Sequence, residues 1–218
     1  MKTRLLIYSM LMIVTSSYGQ TIFLQFGPSI SKTTWTTSLV NERGVDTKSI
    51  IGFNAIAGIN YLNFKYFNLC SGLGIIEKGG SETVRTYSLE LYHYDTTKAT
   101  KRLYYFTMNT TCNLRVPIKD LIEPYIFVGP RLDYLFSDSQ KGEVHQSQNT
   151  EKLNKLSYGL LFGGGINFKL KRILLGLVCN YYYNINKVVN KKDISTNNET
   201  YKYYDNTFTV NAYIGYKL

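Results

Sequence analysis

The chain has no apolar run long enough to cross a membrane as a helix. Its apolar stretches beyond the N-terminus are about ten residues long and broken by polar residues, where a helical span needs roughly 20. Histidine is scarce: only His93 and His145 occur, which leaves little material for general acid–base chemistry. The nearest grouping, His93 with Ser88 and Glu90, lies in one expected loop with no enforced geometry, so no catalytic residue is assigned. Three cysteines, Cys70, Cys112 and Cys179, are odd in number, form no CxxC pair and sit inside apolar stretches. They read as small buried residues and not as a disulfide framework or a metal site. Asp193 to Glu199 lacks the glycine and ligand spacing of a calcium loop. No metal and no cofactor are therefore expected. The basic residues form no stripe interleaved with aromatics, which argues against a nucleic-acid partner.

What is present begins with an export signal. Lys2 and Arg4 precede a short apolar core from Leu5 to Val14, and Ser17-Tyr18-Gly19 offers small residues for cleavage. Residues 1–19 are expected to be a signal peptide and 20–218 the mature domain. No cysteine follows the cleavage site, which argues against a lipid anchor. Twenty Tyr and eleven Phe stand against a single Trp, a balance that suits rings with a polar tip at a membrane interface. The formal charge is +10, with the basic residues dispersed through connections. In an exported protein such a surplus suits contact with anionic surface lipid or glycan.

Period-2 alternation runs through the mature chain, most cleanly at its end. In TFTVNAYIGYKL, residues Phe208, Val210, Ala212, Ile214, Tyr216 and Leu218 share one face. Thr207, Thr209, Asn211, Tyr213, Gly215 and Lys217 share the other. Eight such strands can be drawn, over about 21–31, 51–62, 66–77, 102–116, 124–137, 156–168, 173–187 and 207–218. By parity Cys112 and Cys179 fall on the apolar face and Cys70 on the small-residue face. The connections alternate strictly: 32–50, 78–101, 138–155 and 188–206 are long, and the three between them are short. Long loops on one side and short turns on the other are the pattern of an eight-stranded, antiparallel, up-and-down transmembrane β-barrel of the outer-membrane type. Rings sort to both strand ends: Phe53, Tyr104, Phe136, Tyr183 and Phe208 toward the long loops, and Tyr61, Phe67, Phe168 and Tyr216 toward the short turns.

Three segments carry a family likeness: Glu123 to Arg131 (EPYIFVGPR), Tyr158 to Ile166 (YGLLFGGGI) and the closing Ile214 to Leu218 (IGYKL). With them the chain resembles the small outer-membrane β-barrel proteins of Bacteroidetes, the PorT-like or outer membrane protein beta-barrel domain family. Two positions depart from that pattern: the last residue is Leu218 where such barrels usually end in Phe, and the fourth strand lacks an early proline. The resemblance implies an outer-membrane location and, for some members, a part in secretion or gliding machinery.

An eight-stranded barrel has an interior just wide enough for side chains. The expected lumen holds Asn, Thr and Gly with Arg115, Arg131, Asp133 and Tyr182, the three charged groups joined in one hydrogen-bonded network that forms a polar plug or a gated ion path. The outer loops offer contact candidates: Tyr92 and Tyr94 in 78–101, and Lys191, Lys192, Tyr203 and Tyr204 in 188–206, where Tyr beside Lys suits a protein or glycan partner. The expected role is that of a non-enzymatic outer-membrane protein, structural or partner-binding, with outer-membrane lipid around it. The alternatives are a small porin and a secreted soluble ligand-binding barrel. Oligomeric state is not legible.

Overall fold

The computed structural model describes residues 20–37, 45–46, 48–88, 93–119, 121–141, 154–186, 189–193 and 199–218. The expected signal peptide, and with it Tyr92, Glu90 and His145, lies outside the described residues. Among the described residues every regular element is a strand: β1 (Thr21–Thr37), β2 (Val45–Asp46), β3 (Ile50–Tyr61), β4 (Phe67–Ser88), β5 (His93–Arg115), β6 (Ile122–Lys141), β7 (Leu156–Leu170), β8 (Ile173–Asn184), β9 (Val189–Asp193) and β10 (Glu199–Lys217). All pairings are antiparallel between neighbours, and β1 also pairs with β10 from Thr21↔Lys217 to Thr37↔Tyr201. That last ladder closes the sheet, leaving the short β2 and β9 outside an eight-stranded barrel.

The alternation sorts side chains as expected, apolar outward and polar inward. Ile22, Leu24 and Phe26 on β1, Ile126 and Val128 on β6 and Ile214 and Tyr216 on β10 are exposed, while Thr207, Thr209 and Asn211 are fully buried. Leu177 and Ile126 each stand 63% open at mid-strand. Such an inverted distribution is stable only if the surrounding solvent is lipid. A soluble barrel would turn these faces inward, so the ligand-binding alternative fails on orientation. The cysteines follow parity, with Cys70 buried and Cys179 exposed on the apolar side.

The three short connections are tight. Leu62, Lys119 and Lys171, one in each, adopt left-handed φ values of 52°, 48° and 56°. At the opposite end the strands run further than the alternation suggested. The stretch 78–101, expected as a loop, is mostly hairpin: β4 and β5 pair continuously from Phe67↔Leu114 to Ser88↔His93. β10 likewise starts at Glu199, inside the expected loop 188–206. Polar residues there keep the ladder because neighbouring strands supply the backbone partners, and outside the bilayer neither face needs to be apolar.

One seam is irregular. β3 and β4 pair only from Asn54↔Ile76 to Tyr61↔Leu69, and contact resumes at the isolated bridge Lys48↔Ser81. Between these points β4 is held from β1 instead. Ser29 Oγ donates to Glu77 O at 2.6 Å and Gly79 N donates to Ser31 Oγ at 2.8 Å. Gly52 permits this crossing, because a Cβ there would lie 2.9 Å from Glu77 Cβ and from Ser29 Oγ. Lys78, next along β4, is buried in the lumen.

Candidate functional site

The lumen falls into two polar halves separated by an apolar waist. In the half toward the long hairpins, Arg131 and Asp133 project from one face of β6, as their spacing of two requires. Arg131 Nη1 donates to Asp133 Oδ2. Lys78 Nζ from β4 reaches the same oxygen at 2.9 Å and Asp205 Oδ2 on β10 at 3.6 Å. Arg131 Nη2 also donates to Asn184 Oδ1, and Asn184 Nδ2 donates to Asp205 O at 2.8 Å. Thr207 Oγ1 donates to Asp205 Oδ1 at 3.2 Å. The rings of Tyr105 and Tyr182 lie 5.2 and 5.5 Å from Lys78 Nζ, and Tyr182 lies 5.0 Å from the Arg131 guanidinium carbon. Lys78, Arg131, Asp133 and Asp205 are each 3% exposed or less. Two cations and two anions in contact leave the cluster neutral, which is what makes its burial tolerable.

Arg131, Asp133 and Tyr182 thus lie together. Arg115 does not join them. The register Asn109↔Arg131 places it six residues further along β5, about 20 Å away along the strand. There Arg115 Nη1 lies 3.4 Å from Glu123 Oε1 and Nη2 donates to Phe64 O at 2.5 Å. Lys169 Nζ holds the other Glu123 oxygen at 2.5 Å. Lys78 and Asp205 were missed because both fall in expected loops. The signal was present in parity: Lys78 continues the inward set Cys70, Gly72, Gly74 and Ile76, and Asp205 the set Thr207, Thr209 and Asn211.

The waist was not expected either. Phe23, Ile56, Phe127, Leu161, Val178 and Tyr213 are buried inward-facing residues packed together, with Phe23 and Tyr213 stacked at a centroid distance of 5.4 Å. Ile76, Leu103 and Leu135 extend this packing beside the ion cluster. The expected set of Asn, Thr and Gly is thus incomplete, because small polar residues alone would leave the lumen underfilled.

A cavity of about 50 Å³ extends from the waist toward the short turns. Asn60, Asn68, Asn109, Asn113, Asn167 and Asn180 line it, with Arg115 and Glu123 as its charged members. Asn60 Nδ2 donates to Tyr213 OH at 3.0 Å, and Asn180 Nδ2 to Thr209 Oγ1 at 2.8 Å.

Apart from Tyr92, which lies outside the described residues, the outer contact candidates are strand residues rather than loop residues. Tyr94 sits in β5 opposite Tyr87. Lys191 and Lys192 sit in β9 opposite Tyr201 and Thr200, and Tyr203 and Tyr204 in β10 opposite Trp35 and Thr34 of β1. They belong to two ribbons that continue the barrel wall. His93 faces Ser88 at the far end of the β4–β5 ladder. Among the described residues no cluster of His, Cys, Asp and Glu could hold a metal ion.

A model of the family described as outer membrane protein beta-barrel domain matches residues 18–190. The chain belongs to that family. This outer-membrane barrel also overlays the crystal structure of the outer membrane protein OprG from Pseudomonas aeruginosa, at TM-score 0.58 and 12% identity, over 93% of this chain and 97% of that one. A looser overlay, at TM-score 0.45 and 15% identity, covers 90% of the barrel and 97% of Neisserial surface protein A (NspA). No curated protein matches the barrel in sequence. The likeness to OprG is one of fold, and with the family match and the lipid-facing exterior it places the barrel in the outer membrane.

Proposed function

We propose that this barrel does not conduct and serves as a structural or partner-binding protein of the outer membrane. The observation that carries this reading is the neutral ion cluster Lys78–Asp133–Arg131–Asp205, buried across the outer half of the lumen above an apolar waist. An ion entering from outside would have to displace paired charges and then cross Phe127, Leu161 and Val178, where nothing replaces its hydration. The working surface is then the pair of outer ribbons. A membrane strand needs about 9–11 residues, whereas β4 has 22 and β5 has 23. Roughly half of that hairpin therefore stands beyond the hydrocarbon and can meet a protein or glycan, with Tyr92, Tyr94, Lys191, Lys192, Tyr203 and Tyr204 as the contact residues. No group is assigned to catalysis, and no cofactor is required.

Residues 1–19 are a signal peptide removed before Gln20. The three segments EPYIFVGPR, YGLLFGGGI and IGYKL support membership of the Bacteroidetes PorT-like branch, where a link to secretion machinery would lie.

The test is a recording from the refolded barrel in planar bilayers. Silence across applied voltages is expected. Steady single-channel steps that change with Arg131→Ala would overturn the closed-lumen reading in favour of a small porin. Deletion of Glu82–Thr96, which shortens the β4–β5 ribbon, should remove a co-purifying partner while leaving the heat-modifiable band of the folded barrel intact.

A further inference from the structure

We propose that the short-turn half of the lumen is a binding site for a small neutral molecule bearing both hydrogen-bond donors and acceptors, a polyol or carboxamide of about four to six non-hydrogen atoms, entering from the periplasm. It goes beyond the structural role proposed above and depends on the closed outer half only for the direction of entry.

The chemistry of the cavity sets the class. Six asparagines line it, and the two charged lining residues, Arg115 and Glu123, are paired with each other. The walls beyond that pair are uncharged, so an ion entering would give up its hydration without a counter-charge. Several lining groups are left wanting a partner. Asn68 Oδ1, Asn109 Nδ2, Asn167 Oδ1 and Arg115 Nε are buried and accept or donate no hydrogen bond within the described residues. Asn68, Asn109 and Asn167 are 5%, 6% and 7% exposed, so bulk water does not satisfy them. Native proteins rarely leave such groups unmet, and a satisfied network is worth more than its separate parts. Asn68 and Asn167 offer orphaned acceptors at the short-turn end beside the orphaned donor Arg115 Nε, and together they ask for a guest that both donates and accepts. Asn109 Nδ2 lies further up the wall, opposite Arg131. A charged guest of either sign would match only part of the set.

Size and position agree. A cavity of about 50 Å³ accommodates roughly three to five waters, or one guest of that bulk. Its roof is the waist residues Ile56, Phe127, Leu161 and Val178, which offer an apolar surface to a short carbon skeleton. At the short-turn end Arg115 and Lys169 hold Glu123, and the proposed route of entry passes these ion pairs to reach the neutral amides.

Full-length barrel in lipid nanodiscs, with its asparagine side-chain amides observed by NMR, is titrated with glycerol and separately with acetamide. The expected result is a saturable shift of the Asn68 and Asn167 amides with at least one probe, weakened about tenfold in Asn167→Leu, the loss of one hydrogen bond to the guest. Asn68→Leu, which removes the other orphaned acceptor, provides a second variant should Asn167→Leu fail to give the heat-modifiable band. Shifts that rise linearly with concentration, or that saturate equally in the variants, overturn the site and leave a pocket holding water only. The bilayer recording tests the closed roof separately, so either reading can fail without the other.

Discussion

The two polar halves of the lumen solve the same problem by different means. The outer half buries four charges in mutual contact, and the space between them is filled by Tyr105 and Tyr182. The inner half uses carboxamides and keeps a cavity among them. A charge withdrawn from water needs a counter-charge within reach, so it pulls its partners together and excludes space. A neutral amide costs far less to leave partly unmatched and can share a guest or water, so space survives. The same barrel therefore has a lock at one end and a vestibule at the other.

Four measurements would sharpen or break that contrast. The largest effect is expected for Lys78→Met, which strands Asp133 and Asp205 against Arg131 alone. Urea unfolding of the refolded barrel in lipid should show a loss of about 3–5 kcal/mol, the cost of an uncompensated buried charge. Adding Asp205→Leu to that variant restores neutrality and should recover roughly 1–3 kcal/mol of it by the same measurement. If the double variant were as weak as the sum of its parts, the cluster would not be acting as a unit. Glu123→Gln in the inner half should cost only about 1 kcal/mol, because its partners Arg115 and Lys169 remain partly hydrated. A loss equal to that of Lys78→Met would erase the distinction between the halves. The smallest change is a gain. Lys171→Gly removes a left-handed side chain from the β7–β8 turn, outside both halves, and should raise stability by about 0.5 kcal/mol on the same unfolding curves.

Much of this was legible in the residues. Alternation gave the eight strands, the outward face of Ile126 and Leu177 and the inward face of Arg131, Asp133 and Tyr182. It gave the short turns too, since each closes where the apolar period stops. Strand ends at the other side were misplaced, because a ladder outside the membrane needs backbone partners but no apolar face, and polar stretches such as 78–88 read as loop. That error hid Lys78 and Asp205. Arg115 was assigned to the wrong network because parity says which face a side chain takes and nothing of how far along the barrel it lies.

The sequence by itself determined the class, the strand number, the lipid-facing surface and the compartment, since each follows from a repeat of two residues that every strand expresses locally. Only the tertiary structure decided which lumen residues meet. Bringing Lys78 to Asp133 and Asp205 depends on the registers of β4, β6 and β10, on Gly52 letting β4 cross toward Ser29 and Ser31, and on closure of β1 against β10. Those are properties of the whole closed sheet: a shift of register anywhere moves every cross-lumen contact while leaving the local alternation unchanged.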